Sequence, residues 1–419
     1  MSASEAQYLL RCVTCGAEYA GESAPEYVCP GCAAKQQAGR PLLGVLECVY
    51  DCDAWKRGRR REAAASDMLL PAAGGVHHGL RVGNTPLYPS QRLAALAGMQ
   101  HVWVKDDTVE PTGSYKDRAT ALVIAMARAR GCAALTCAST GNAAASLAGL
   151  CAAAGLRCHL FVPAGAPRAK LVQLAAYGAT LFAISGTYDQ CYELSIEATR
   201  RFGWHNRNTA YSPWTIEGKK AAAWEIAVQL GFTVPDHVVV PAGDGAILAG
   251  VWKGFADLKR LGWIERMPRL IAVQPSGADA LAQAWRNGAD GTAATREHAA
   301  SIADSLVVAA PRNAVMALRA LRETNGFCVT ADETAIIGAI KEVSSATGVF
   351  VEPAAAAAWA GLLVARAAGL VRQADTAVLL LTGSGLKDIP AAARAVAEPS
   401  AIPASIEAVE ARMRTAPGE

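Results

Sequence analysis

The alternation of short apolar runs with helical stretches, from about residue 80 onward, constrains the fold of this chain more than any other feature. Continuous apolar strands separated by helices are typical of parallel sheets covered by helices on both faces. The chain has 419 residues, more than one core normally serves, so we expect two or three domains. The predicted strands are HVWVK (101–105), ALTCAS (134–139), CHLFVP (158–163), TLFAI (180–184), HVVVPAG (237–243), LIAVQP (270–275) and AVLLLTG (377–383).

Four cysteines near the N-terminus form two Cys-x-x-Cys pairs. Such pairs place four thiolates at the spacing of a tetrahedral structural zinc site. Chance clustering in a cysteine-rich chain, or a site that has lost its metal, is the alternative. We predict a zinc ribbon with a structural Zn²⁺ ion held by Cys12, Cys15, Cys29 and Cys32.

The composition bears on partners and location. The formal net charge is +3, so we expect neither nucleic acid nor a membrane as a partner. No signal peptide or bilayer-spanning run is recognisable, and twelve cysteines without such a signal indicate reduced thiols. We therefore predict a cytoplasmic protein.

The stretch EPTGSYKDRATALV (110–123) places Lys116 directly behind a Pro-Thr-Gly-Ser turn and at the start of a predicted helix. A cation is unfavourable at a helix N-terminus. Lys116 is therefore either an ordinary solvated lysine or a lysine held as a nucleophile, and the turn alone does not decide between them.

Three further turns follow predicted strands, where ligands gather in open parallel sheets. The first can bind a carboxylate at a helix start, the second resembles a phosphate cradle of backbone amides, and the third presents a hydroxyl. Taken singly, each is equally an ordinary capped helix or turn. The turns contain Ser139, Thr140, Gly141, Asn142 and Ala143; Gly243, Asp244, Gly245 and Ala246; and Thr382.

Together, a nucleophilic lysine, a phosphate cradle, a carboxylate-binding loop and a hydroxyl are what pyridoxal 5'-phosphate requires when it is bound as a Schiff base and handles an amino acid. PTGSYKDRA resembles the lysine motif of threonine synthases, usually Pro-Thr-Gly-Ser-Phe-Lys-Asp-Arg-Gly. STGNAAAS, IEGKKAAAWEI, GVFVEPAAAAAWAGL and TGSGLKD are similar to the same family in the same order, from about residue 82 to 390.

The resemblance implies an α/β fold with two doubly wound parallel-sheet domains of the fold-type-II pyridoxal phosphate enzymes, preceded by the zinc ribbon. It also implies a homodimer and an amino-acid substrate. The implied division is a ribbon over 1–45, a large cofactor-binding domain over 46–118 and 205–400, a small substrate-side domain over 119–204, and a C-terminal tail over 401–419.

The resemblance also implies the residue roles. Lys116 forms the Schiff base and moves protons, and the remaining roles concern contacts to cofactor and substrate. Asn142 contacts the phenolic oxygen of the cofactor, residues 243–246 its phosphate and Thr382 its pyridine nitrogen, while Ser139, Thr140 and the amides of 141–143 bind the substrate carboxylate.

The substrate side departs from the family pattern. Threonine synthases carry a segment resembling Asn-Ser-Val-Asn-Pro-x-Arg before the Glu-Gly pair, where this chain has TAYSPWT (209–215). Thr215 then occupies the Arg position beside Trp214, and Ala143 replaces a frequent Thr. Losing charge-assisted hydrogen bonds worth about 1.5–3 kcal/mol each weakens the binding of a phosphate dianion.

We therefore predict a lyase or synthase that eliminates or replaces a β- or γ-substituent of an amino acid. Serine/threonine dehydratase-like elimination and cysteate-synthase-like β-replacement both fit, with O-phospho-L-homoserine as a poor substrate and Trp214 and Thr215 facing a less charged side chain. The alternatives are an authentic threonine synthase and a catalytically inactive cofactor-binding protein.

Overall fold

The computed structural model describes residues 8–21, 24–57, 61, 68, 70–71 and 79–415. These residues form one small antiparallel sheet and two larger sheets with helices packed around them. None of the helices in these ranges combines the length and apolarity needed to cross a bilayer. The fold is the α/β architecture that the sequence predicts.

The N-terminal sheet has the strand order β2-β1-β3 and is antiparallel. Its strands are β1 (Tyr8–Cys12), β2 (Glu18–Tyr19) and β3 (Leu46–Tyr50), and the helix α1 (Pro30–Ala33) lies between the second and third. Because β3 pairs with β1, we propose that the ribbon reaches residue 50, past the predicted limit at residue 45.

The large sheet has six strands in the order β12-β11-β10-β13-β5-β4, all parallel except the edge strand β4. The carboxyl ends of β5, β10 and β13 therefore open at the same edge of the sheet. The strands are β4 (Leu87–Pro89), β5 (His101–Asp106), β10 (His237–Pro241), β11 (Arg269–Pro275), β12 (Phe327–Ala331) and β13 (Thr376–Leu381).

The smaller sheet is parallel and has the order β8-β7-β6-β9. Its strands are β6 (Ala134–Ala138), β7 (Arg157–Pro163), β8 (Thr180–Ile184) and β9 (His205–Asn206). Because β9 pairs with β6, this sheet reaches beyond the predicted domain limit at residue 204. We propose a boundary after β9, and the remaining domain limits stay predictions.

Helices connect the strands, as expected for parallel neighbours. They are α2 (Cys52–Lys56), α3 (Gln91–Ala97), α4 (Lys116–Ala129), α5 (Asn142–Ala154), α6 (Arg168–Ala176), α7 (Tyr188–Phe202), α8 (Trp214–Lys219), α9 (Ala221–Gln229), α10 (Ala246–Arg260), α11 (Ala280–Arg286), α12 (Ala314–Glu323), α13 (Glu333–Thr347), α14 (Pro353–Ala367), α15 (Ile389–Ala393) and α16 (Ile406–Thr415).

Small side chains let α14 pack closely on the large sheet. Its first half is a run of alanines that are almost fully buried. A Cβ atom on Gly361 of the same helix would lie 2.2 Å from Cγ2 of Val273 in β11, so this position has no room for any side chain. The alanine-rich composition is thus required by the distance between helix and sheet.

The ribbon is joined to the rest of the protein through buried polar and aromatic contacts. Tyr50 at the end of β3 donates a hydrogen bond of 2.7 Å from its hydroxyl to Oε2 of Glu217 in α8. Tyr8 in β1 meets the ring of Trp214 edge-on, with 5.9 Å between ring centroids. The N-terminal sheet therefore contacts α8.

Candidate active site

Lys116 and Thr382 are held beside each other by the backbone. The amide of Tyr115 donates to the carbonyl of Thr382 over 2.9 Å, and the amide of Ser384 donates to the carbonyl of Gly113 over 3.0 Å. These bonds join the turn after β5 to the turn after β13. They are possible because β5 and β13 are parallel neighbours, so two turns distant in sequence meet at one edge.

The turn that carries Lys116 is fixed by its own polar residues. The Asp117 carboxylate accepts hydrogen bonds from the amide and the hydroxyl of Thr112, at 2.7 and 2.6 Å. Arg118 pairs with Asp107 and Glu225, each at 2.6 Å. The Asp and Arg of the lysine motif are thus buried framework residues that fix the turn around Lys116.

The environment of Lys116 makes its amine a better nucleophile. Burial, together with the charge of Arg207, lowers the pKa of Lys116 to about 8, against the opposing effects of Glu352 and Asp244. A larger fraction of the amine is then neutral near physiological pH than for an ordinary lysine, whose pKa is about 10.4. A neutral amine is the form that attacks a carbonyl.

The loop after β6 places Asn142 at the first position of α5. Its Nδ2 donates to both carboxylate oxygens of Glu352 at 3.0 Å. Burial raises the pKa of Glu352. A Cβ atom on Gly383 would lie 2.4 Å from Oε1 of Glu352, so the carboxylate sits against the Thr382 turn. Glu352 is a site residue whose role the sequence did not reveal.

A cavity of about 270 Å³ opens beside this loop. Thr140, Gly141 and Asn142 line one wall, and Glu352 and Lys387 line another. The Ser139 hydroxyl accepts a hydrogen bond from the amide of Gly141 at 3.2 Å, which shapes the turn. Together with the start of α5, these groups offer amides and hydroxyls to a carboxylate.

The loop after β10 is shaped by two glycines. A Cβ on Gly243 would lie 2.8 Å from Cα of Leu306, and one on Gly245, whose φ is +83°, would lie 2.7 Å from Cβ of Ala317. Gly245 caps α10, whose first amides have no acceptor within the helix. The Asp244 carboxylate turns away and accepts the amide of Arg312 at 2.5 Å. The repulsion expected between Asp244 and a phosphate is thereby reduced.

Thr382 directly follows the strand β13 and has a nearly buried side chain. Its hydroxyl has no hydrogen-bond partner among the residues that the structure describes, so it is available to a ligand. With the glycine-shaped cradle at 243–246 and the lysine amine at Lys116, the residues fit pyridoxal phosphate. Gly243, Asp244, Gly245 and Ala246 would hold its phosphate through the loop amides, and Thr382 its ring nitrogen.

Trp214 and Thr215 have other contacts than those predicted for substrate-binding residues. Trp214 is buried against Tyr8 of the ribbon. The Thr215 hydroxyl donates to the carbonyl of Ser212 at 2.7 Å and accepts the amide of Ala210 at 3.3 Å. The Thr215 hydroxyl therefore closes the turn before α8, while the Trp214 ring packs against the ribbon. Their contact with substrate stays a prediction. Ala143 follows Asn142 in the first turn of α5.

Arg207 is a cation that the sequence reasoning missed. Its side chain is fully buried, with Nε donating to Thr120 at 3.1 Å and Nη1 to Thr209 at 3.0 Å, while Nη2 has no partner among the described residues. Its charge acts on Lys116. Arg207 lies directly after β9 and just upstream of the TAYSPWT segment, so a buried cation stands close to that segment. The neutral substrate side that the segment suggested stays a prediction.

The four predicted metal ligands lie together. The Sγ atoms of Cys12, Cys15, Cys29 and Cys32 are all within 4.8 Å of one another. Such a group of four thiols can bind a metal ion. The hydroxyl of Tyr19 lies 3.1 Å from Sγ of Cys29, which supplies a hydrogen bond to the cluster.

Comparisons with known proteins agree with this geometry. Residues 79–383 match the family described as pyridoxal-phosphate dependent enzyme. The chain belongs to this family. It is similar to threonine synthases from Methanosarcina acetivorans, with 31% identity over 96% of this chain and 98% of the relative, and from Methanocaldococcus jannaschii, with 32% identity over 93% and 96%.

Solved structures of related enzymes share the fold. The processed form of threonine deaminase isoform 2 from Solanum lycopersicum has a TM-score of 0.62 and 21% identity over 72% of this chain and 79% of its own. The maize serine racemase has a TM-score of 0.62 and 22% identity over 72% and 88%. This family member is a pyridoxal phosphate-dependent lyase of the threonine synthase-like, fold-type-II group, acting in amino-acid metabolism.

Proposed function

We propose that this enzyme eliminates or replaces a β- or γ-substituent of an amino acid, and that the group it binds on the substrate side chain is anionic. The observation that carries the proposal is Arg207, a buried guanidinium with a free Nη2 and no carboxylate partner among the described residues. A buried charge without a counter-ion is costly. A substrate anion supplies that counter-ion and accepts a charge-assisted hydrogen bond.

When it is bound, pyridoxal phosphate stabilises negative charge at the substrate Cα. The chain's own residues perform the remaining tasks. Nζ of Lys116 takes up and returns protons at the substrate carbons, helped by a pKa of about 8. The loop 139–143 orients the substrate carboxylate. Asn142, whose Nδ2 donates to Glu352, would contact the phenolic oxygen of the cofactor ring. A neutral Thr382 hydroxyl cannot keep the ring nitrogen protonated, which favours elimination and replacement over transamination.

Among substrates with an anionic group, O-phospho-L-homoserine is the first candidate, as in a threonine synthase. The match to threonine synthases over almost the whole chain, ribbon included, supports it. The second candidate is an amino acid with a neutral leaving group, as in a serine/threonine dehydratase. Thr215 in place of an arginine supports this second candidate. A cysteate-synthase-like β-replacement of a phosphorylated serine is intermediate, because its substrate also carries a phosphate. Loss of catalysis is disfavoured because Lys116, Asn142 and Thr382 are brought together.

The test is a comparison of kcat/KM for O-phosphohomoserine, phosphoserine, acylated homoserines, serine and threonine. We expect the phosphorylated substrates to exceed the neutral ones, and Arg207→Gln to remove most of that preference, by roughly 10-fold to 100-fold for one charge-assisted bond. If serine or threonine is turned over best and Arg207→Gln leaves the ranking unchanged, the dehydratase reading replaces this one.

We also propose that the four cysteines hold a structural Zn²⁺ ion, because all four ligand positions are supplied by the protein. The enzyme is further proposed to act as a homodimer in the cytoplasm. Sedimentation analysis of the purified enzyme tests the oligomeric state, and a monomer at micromolar concentration would contradict it.

A further inference from the structure

Four lysines have fully buried side chains in the described part of the chain, and one differs from the rest. Three form ion pairs: Lys105 with Glu225 at 2.6 Å, Lys220 with Asp257 at 2.9 Å and Lys253 with Asp257 at 2.6 Å. Lys219 forms none. Its Nζ donates a single hydrogen bond, 3.1 Å long, to the carbonyl of Thr215 one turn earlier in the same helix.

A buried ammonium group without a carboxylate is costly unless an anion neutralises it. Burial lowers the pKa of Lys219 well below its usual value, and the charges of Arg207 and Lys116 lower it further, against the opposing effect of Asp244. The other three fully buried lysines are each paired with a carboxylate of the protein. Lys219 has no such partner among the described residues, so an anionic ligand can neutralise it.

The position of Lys219 indicates which anionic ligand would neutralise its charge. Helix α8 packs along α10, and a Cβ atom on Gly250 would lie 2.5 Å from Cβ of Lys219. Gly250 is about one turn from the first residue of α10, Ala246. The amides at that helix start form the cradle that fits a phosphate, and the field of the helix there favours an anion.

We propose that Lys219 is the positive partner of the cofactor phosphate, acting with the amides of 243–246. The inference rests on pyridoxal phosphate being the cofactor. It also accounts for Asp244 in the phosphate loop. Its carboxylate turns toward Arg312, and the charge of Lys219 offsets the negative charge that remains near the phosphate. Lys219 is thus a positioning residue for the cofactor and takes no part in carbon chemistry.

The test compares the affinities of the cofactor-free protein for pyridoxal phosphate and for pyridoxal, which lacks the phosphate. Binding is followed by the absorption of the lysine-bound ring. We expect Lys219→Met to weaken pyridoxal phosphate about 10-fold to 100-fold, the effect of one charge-assisted hydrogen bond, and pyridoxal by less than about 3-fold. Lys219→Arg, which keeps the charge, should recover most of the lost affinity.

Lys253→Met is the matched control, because it also removes one fully buried lysine charge and lies outside the candidate site. Lys253 pairs with Asp257, which keeps Lys220 as a partner, so the ratio of the two affinities should stay as in the unaltered protein. If Lys219→Met leaves the ratio of the affinities for pyridoxal phosphate and pyridoxal unchanged, the inference is overturned. If the unaltered protein binds neither compound, the cofactor assignment itself is overturned.

A measurement on the unaltered holoenzyme covers the case in which Lys219→Met does not fold. The phosphorus-31 chemical shift of the bound phosphate should stay at the value of the dianion as the pH is lowered, because Lys219 favours the doubly charged form. Titration of that resonance at about pH 6, as for a free phosphate ester, would overturn the inference.

Discussion

Replacing Gly243 by alanine tests how tightly the loop after β10 is fitted to a phosphate. The added methyl group would lie 2.8 Å from Cα of Leu306 and 3.1 Å from the carbonyl oxygen of Ser305. Both neighbours are backbone atoms, which cannot rotate away, so the loop or the 305–306 segment has to move. Overpacking of this kind costs about 1–3 kcal/mol. If the loop moves, that cost appears as a roughly 5-fold to 150-fold weaker affinity for pyridoxal phosphate.

The assay is a titration of cofactor-free Gly243→Ala with pyridoxal phosphate, with thermal unfolding measured on the same samples. Gly338→Ala is the control, since a Cβ at Gly338 meets nothing within 4 Å and alanine favours the helix by about 0.5–1 kcal/mol. We expect a weakened affinity in the first variant and an unchanged affinity in the second. If Gly243→Ala matches the unaltered protein in affinity and unfolding temperature alike, the close approach has no functional consequence and the reasoning fails.

Three further outcomes are expected. Zinc analysis should find close to one ion per chain and lose it in Cys29→Ser, and a metal-free protein of unchanged stability would refute the site. The rate of cofactor capture should rise with pH and level off near pH 8, where Lys116 loses its proton, whereas levelling only above about pH 10 would mark an unperturbed lysine. Tyr50→Phe, which removes the 2.7 Å bond to Glu217, should lower the free energy of unfolding by about 1.5–3 kcal/mol in denaturant, and a loss below about 0.5 kcal/mol would show that the ribbon contact is dispensable.

Much of the fold was predictable because it depends on local patterns. Apolar runs indicated most strands of the two larger sheets, and the turns after them indicated Lys116, Asn142 and Thr382 as candidate site residues. Strand order then brings the turns after β5, β10 and β13 to one edge, since these strands are parallel neighbours. The short β9 escaped prediction because two residues carry no periodic signal, and β3 because its role depends on pairing with β1.

The substrate side was less predictable because it depends on long-range packing. Arg207, Lys219 and Glu352 do not belong to one local motif, and nothing in their neighbours indicates that they are buried near Lys116. Conversely, alignment with a family motif placed Thr215 at a ligand position, while its hydroxyl closes its own turn. The useful signal is a charged residue in an otherwise buried stretch, as Arg207 is in the run 205–208.

The most direct test of the central claim is to reduce the holoenzyme with borohydride, digest it and locate the modified lysine by mass spectrometry. We expect the pyridoxyl group to be attached to Lys116, and Lys116→Ala to lose the absorption of the lysine-bound cofactor together with turnover. Attachment to Lys219, the fully buried lysine without a carboxylate partner in the described part of the chain, would contradict the claim.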